Sequence, residues 1–231
     1  MGEILVAQNG VGGPIGALEA PLREAGHELT VWYAPGDDPA PDVRRFDGLV
    51  VLGGIANPDE DGRLPWITEE RRLVAAALAH EVPLLGLCLG AQLLAQAAGG
   101  DAPFLGRLDL GWRAIELTDE GAADPVVSAL PRSFAGFQWH RYGLGPPRTA
   151  VVLATGALGP QVFRVGACAW GLQFHLEVDE GILADWFQIA PHEIEAAGED
   201  LETLREVTAV EAPASVGRAR ALGSRLASLL G

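Results

Sequence analysis

A chain of 231 residues can bury one full hydrophobic core, and 48% hydrophobic against 20% charged residues is the balance of a folded protein rather than a disordered one. The formal net charge is −15, from 31 acidic residues against 16 basic ones, every one of them Arg. So acidic a surface repels phosphate backbones and anionic lipid, which argues against nucleic-acid and membrane partners.

Residues 4–8 read as a buried strand, followed by a glycine-rich turn, Asn9 to Gly13, and a helix over about 14–25 with Pro14 at its start and Gly26 just past its end. The turn lacks the third glycine of a dinucleotide-binding loop, so a plain tight turn is expected and no cofactor is implied. Residues 28–33 and 48–52 are the next strands, the latter ending at Gly53-Gly54. A helix over about 67–80, a strand over 82–87 and a helix from about 91 to 98 follow. Apolar strands separated by amphipathic helices imply a parallel sheet covered on both faces. The longest apolar run, Val82 to Leu89, is too short to span a bilayer. The opening Met1-Gly2-Glu3-Ile4 has no signal-peptide character, so a cytoplasmic protein is expected. Beyond residue 100 come short strands over 112–117, 134–139, 150–154, 161–165 and 169–174, which read as antiparallel additions, then a helix over 180–189. From 191 onward the chain reads as two helices broken at Ala212-Pro213. Val216, Ala219, Leu222, Leu226 and Leu230 form one apolar stripe on the second. That stripe is expected to pack on its own domain, with dimerisation as the alternative.

Gly86-Leu87-Cys88-Leu89-Gly90 carries the chemistry. It stands where a strand turns sharply into a helix, and glycines two positions either side of the cysteine give room for the strained turn of a nucleophile elbow. The thiol then projects above the carboxyl edge of the sheet, with the following helix N-terminus favouring a thiolate. The other cysteine, Cys168, reads as a small core hydrophobe. Of five histidines, His27 and His80 look like surface residues and His192 lies in the polar tail. His175 closes an apolar strand and is followed two residues later by Glu177. That carboxylate can orient the ring and turn its other nitrogen toward Cys88. A tetrahedral intermediate needs backbone donors. Leu89 N–H is one by elbow geometry, and Gly53-Gly54 is either the second or a simple strand-ending turn.

Asp47-Gly48-Leu49-Val50-Val51-Leu52-Gly53-Gly54, Pro83 to Ala95 with its Gly86-Leu87-Cys88-Leu89-Gly90-Ala91-Gln92 centre, Phe137-Gln138-Trp139-His140 and Ala169 to Glu177 together resemble the class I glutamine amidotransferase family, over roughly residues 3 to 190. The likeness is greatest to stand-alone, GMP-synthase-like members. It implies a flavodoxin-like three-layer α/β sandwich, with a mainly parallel central sheet, helices on both faces and additional antiparallel strands, over 1–190, and a C-terminal helical extension over 191–231. It implies that Cys88 attacks the side-chain amide of glutamine, that His175 and Glu177 complete a triad, and that Gly54 and Leu89 form the oxyanion hole. Gln92 stands where the family helps hold glutamine, and His140 lies in a stretch that contacts substrate in relatives. Neither a metal nor a cofactor is implied. The partners expected are glutamine or another γ-glutamyl small molecule, a separate synthetase that takes up the ammonia, and a second copy of the chain. Three departures stand out: Ile55 and Leu176 replace prolines usual in the family, and His140-Arg141-Tyr142 replaces a His-x-Asp pattern. A changed substrate, or a catalytically silent binding protein, are the alternatives.

Overall fold

The computed structural model describes residues 2–230. Nine strands form one sheet: β1 (Glu3–Gln8), β2 (Glu28–Tyr33), β3 (Gly48–Val51), β4 (Leu84–Leu87), β5 (Phe104–Leu117), β6 (Ser133–Tyr142), β7 (Val151–Gly156), β8 (Gly159–Val165) and β9 (Ala169–Leu172). Their spatial order is β2-β1-β3-β4-β9-β8-β7-β5-β6. The first five in that order pair in parallel, and the remaining pairings are antiparallel. The parallel part is wound in the flavodoxin-like order, so its ligand crevice lies outside the carboxyl ends of the strands.

Alternation along the strands sends side chains to two separate cores. Ile4 and Val6 of β1 face one side with Val50, Leu52, Leu85 and Leu87, while Leu5 and Ala7 face the other with Leu49, Val51 and Leu84. The second side is covered by α2 (Pro65–Ala79), through Leu73, Val74 and Ala77, and by α3 (Leu89–Ala97), through Ala91 and Leu94. The first is covered by α1 (Glu19–Glu24), the short α4 (Asp119–Ala123) and, after α5 (Glu180–Ile189) and α6 (Pro191–Ala196), by the long α7 (Leu201–Ala227). Three layers result, as the alternating pattern implies.

Four expectations need correction. The helix expected from residue 14 begins only at Glu19, after a single 3-10 turn, Gly16–Leu18. Gly16 has φ +56, and a Cβ there would lie 2.1 Å from the Glu177 carbonyl, whose oxygen accepts from Ala17 N–H at 2.8 Å. That close crossing holds the chain out of helix until it has passed. The tail does not break at Ala212-Pro213: α7 runs through Pro213 without interruption. Pro213 and Ala209 are both exposed, so the carbonyl that proline leaves unpaired can be hydrated. Leu204, Thr208, Ala212, Ala219 and Leu222, buried on either side, hold the two halves to one surface. His27 is buried, with its ring nitrogen 3.2 Å from the Ala227 carbonyl, because the end of α7 lies over it. Cys168, in the β8–β9 turn, is only half-buried, its thiol 3.3 Å from the Glu81 carbonyl.

Leu222, Leu226 and Leu230 enter the same core as Leu18 and Leu22. Each contributes on the order of 2 kcal/mol by burial, so their joint loss would rival the whole stability of an ordinary domain, roughly 5–15 kcal/mol. A chain cut after Ala190 is therefore expected to be insoluble or largely unfolded by circular dichroism. An unchanged melting temperature and solution mass would show the tail to be dispensable.

Candidate active site

Cys88 stands between β4 and α3 with φ +48 and ψ −106, a backbone conformation that non-glycine residues rarely adopt. Its surroundings enforce this. A Cβ on Gly86 would lie 2.6 Å from the Gly90 carbonyl oxygen, and one on Gly90 would lie 2.2 Å from that of Val51. The two glycines let the turn fold against itself and against β3. The Cys88 N–H donates to Leu172 O at 2.8 Å, which ties the elbow to the end of β9, and Cys88 O accepts from Gln92 N–H at 3.0 Å, the first turn of α3. Leu89 opens α3, so its N–H has no intrahelical acceptor.

His175 lies just past β9. The chain has already left the strand there, but His175 N–H donates to Phe137 O at 2.8 Å, and this bridge to β6 holds the residue in place. Its Nδ1 is 2.7 Å from Glu177 Oε1, and both side chains are buried. Burial alone would push the imidazole down; the Glu177 carboxylate and the hydrogen-bonded Cys88 sulfur overcome that and raise it. Trp186 of α5 stands edge-on to the ring, with centroids 4.9 Å apart, and is held by a 2.6 Å hydrogen bond from its indole N–H to Gly12 O.

Gly53 and Gly54 follow β3 beside this pair. A Cβ on Gly53 would be 2.7 Å from His175 Cε1 and 3.3 Å from Cys88 Cβ; one on Gly54 would be 2.8 Å from Asn9 Cβ and 3.5 Å from a Leu89 methyl. No side chain fits at either position. The structure thus brings Cys88, His175, Glu177, Gly54 and Leu89 to one place.

Gln92 and His140 sit behind it. The Gln92 amide donates to Tyr142 O at 2.8 Å and reaches Gln173 Oε1 at 3.5 Å. Gln173 in turn donates to the Cys88 sulfur at 3.8 Å. The His140 ring is buried, 3.0 Å from Gln138 Oε1 and 3.8 Å from Asp109. Burial pushes it down to about 4, against the pull of Asp109, and His175 also disfavours its charge, so it is neutral at pH 7. Sequence reasoning assigned no role to Gln173, Trp186 or Asn9. Gln173 alone had a signal, since it lies two residues before the histidine and therefore shares its side of the chain. Among the described residues no cluster of three or more His, Cys, Asp or Glu is placed to hold a metal ion, and no helix is long and apolar enough to cross a membrane.

A thiol on a strained strand-to-helix elbow, with a buried imidazole–carboxylate pair at the same edge of a parallel sheet, has the parts of a cysteine-nucleophile enzyme. The sequence model of the family Glutamine amidotransferase class-I matches residues 15–184, and the chain belongs to that family. It is similar to a glutamine amidotransferase of Thermotoga maritima whose crystal structure aligns over 97% of each chain, with a TM-score of 0.87 and 27% identity. The glutamine amidotransferase-like protein YfeJ of Salmonella typhimurium is 29% identical over 62% of this chain and 61% of its own length, so this chain spans just under two thirds of that relative. One of the subunits of the glutamine-hydrolysing GMP synthase of Ignicoccus hospitalis is 28% identical over 70% of this chain and 81% of its own. These matches bear out the resemblance seen in the sequence, in family and in fold.

Proposed function

We propose that this protein hydrolyses the side-chain amide of glutamine to glutamate and ammonia, with Cys88, His175 and Glu177 as its triad. The observation that carries the reading is the Cys88 elbow at φ +48 beside an imidazole whose Nδ1 is held 2.7 Å from Glu177. His175 takes the thiol proton, and the sulfur attacks the amide carbon. The oxyanion that forms is met by the N–H groups of Leu89 and Gly54. His175 returns the proton to the departing nitrogen, releasing ammonia and leaving a γ-glutamyl thioester. Water, deprotonated by the same imidazole, attacks the thioester carbon; the C–S bond breaks, and glutamate leaves. Gln92 and His140 shape the substrate side of the pocket, Gln92 through Gln173. The ammonia is passed to a separate synthetase, and the likeness to one component of a GMP synthase supports this.

A second reading, hydrolysis of a different γ-glutamyl compound, is favoured by one feature. His140-Arg141-Tyr142 stands in place of the family's His-x-Asp, and both flanking residues are engaged elsewhere: Arg141 on Glu193 at 3.0 Å, Tyr142 on Asp59 at 2.7 Å. The test is a panel of γ-glutamyl amides, glutamine included, with released ammonia or amine measured. Ammonia from glutamine is the expected result. Amine release from another member with glutamine inert would favour the second reading, and no release from any would leave a silent binding protein.

A further inference from the structure

Glu193 sits in the first turn of α6, beyond residue 184, where the family match ends. Its two carboxylate oxygens hold two residues of β6. Oε2 accepts from the Trp139 indole N–H at 2.5 Å, and Oε1 accepts from Arg141 at 3.0 Å. Residues 139 and 141 share one face of the strand, so a single carboxylate bridges them. His140, between them, faces the other way, onto Gln138. The bridge is anchored at both ends. Ile194 is buried in the core that Phe137 and Phe187 also fill, and the Trp139 ring stacks on Phe187, centroids 6.3 Å apart. The Arg141 pair is open to solvent, with 40% of the Arg141 side chain and 28% of the Glu193 side chain exposed, so screening weakens it. The short bond from the indole to the charged acceptor is the stronger arm.

The stretch so held is the substrate side of the site. Phe137 O accepts from His175 N–H at 2.8 Å, and Trp139 O, on the same edge of β6, accepts from the Cys88 thiol at 3.9 Å. Tyr142 O accepts from the Gln92 amide at 2.8 Å. The nucleophile and its base are fixed without Glu193. Cys88 is tied to Leu172 O and seated by Gly86 and Gly90, and His175 is tied to Phe137 O and Glu177. Glu193 grips the strand further along, at 139 and 141. A shift of the backbone there carries the His140 ring and the Tyr142 carbonyl with it, and through that carbonyl the Gln92 side chain.

We propose that Glu193 is a positioning residue: through Trp139 and Arg141 it sets the end of β6 that carries His140 and orients Gln92 toward the substrate. This rests on the glutaminase reading above. The test uses the full-length protein and measures kcat and KM for glutamine, the melting temperature, and alkylation of Cys88 by iodoacetamide, a reagent too small to need the substrate side. Glu193→Ala removes both arms. It should raise KM about 10- to 100-fold, the scale of loss that an ångström of misplacement brings, with kcat, melting temperature and alkylation little changed. Glu193→Gln keeps an amide oxygen to accept from the indole and should recover most of that loss. Trp139→Phe keeps a ring over Phe187 but has no N–H, and should reproduce most of the rise in KM. Adding Glu193→Ala to it should then cost little more, because the two residues act through one bond. Wild-type KM in Glu193→Ala, no recovery in Glu193→Gln, or losses that simply add in the double variant would each overturn the proposal. So would a parallel fall in melting temperature, alkylation and turnover, which would make Glu193 a prop of the fold alone. A wild-type protein that turns over no glutamine at all would overturn the function reading itself, and this proposal with it.

Discussion

Replacing Cys88 by Ala or by Ser should abolish glutamine turnover, with a loss on the order of 10⁴-fold or more, while the fold survives. The elbow conformation is imposed by Gly86 and Gly90 packing against backbone on either side, not by the sulfur, so a residue of similar size occupies it as before. What is lost is the bond that forms. Alanine has no nucleophile, and a serine hydroxyl is far harder to deprotonate than a thiol at the same position. Incubation with a glutamine-analogue electrophile, followed by peptide mapping, checks the assignment directly. Label is expected on Cys88 alone. Cys168 is a poor competitor: burial and the Glu81 carboxylate push its thiol up, and its sulfur is turned toward the Glu81 carbonyl. Label on Cys168 that persists in the Cys88 variants would show the nucleophile to be misassigned.

His175→Ala should be nearly as damaging as loss of Cys88, because each half-reaction moves a proton through the same ring. Glu177→Gln should be milder, retaining about 10- to 100-fold more activity than His175→Ala. The glutamine amide oxygen can still accept from Nδ1–H and keep the ring in place, but the negative charge that raises the imidazole is gone. Single-turnover rates of thioester formation and of its hydrolysis separate the two effects. Wild-type rates in His175→Ala would rule out the triad, and equal losses in the two variants would mean that the Glu177 charge, not its geometry, dominates.

Much of this site can be read from the order of residues because its parts are local. The elbow is five consecutive residues, and the glycines at 86 and 90 are demanded by contacts with Gly90 and Val51 that any strand-to-helix turn beside a parallel neighbour would make. The pairing of His175 with Glu177 spans two residues and survives although β9 stops at Leu172 and the backbone is no longer regular strand. The near-continuous apolar runs of β1 and β3 likewise state in advance that both faces of the sheet are covered.

Other features depend on meetings between distant segments. Pro14 and Gly26, as start and stop signals, placed a helix at residue 14, but a crossing beneath the Glu177 carbonyl, 161 positions along the chain from Gly16, delays it to Glu19. Pro213 signals a break by local rules, yet buried side chains on both sides keep α7 whole, since tertiary packing outweighs one lost hydrogen bond. His27 looks exposed until α7 lies over it, and Glu70, wholly buried on α2, looks like one more surface acid on a charged helix. The sequence by itself determined the sheet, the elbow and the candidate nucleophile, because those rest on spacing and on steric demands within a few residues. Only the tertiary structure decided which polar groups were cut off from water, and with that the charge state of Glu70, the neutrality of His140 and the basicity of His175, since desolvation is set by everything that packs around a group and not by its neighbours in the chain.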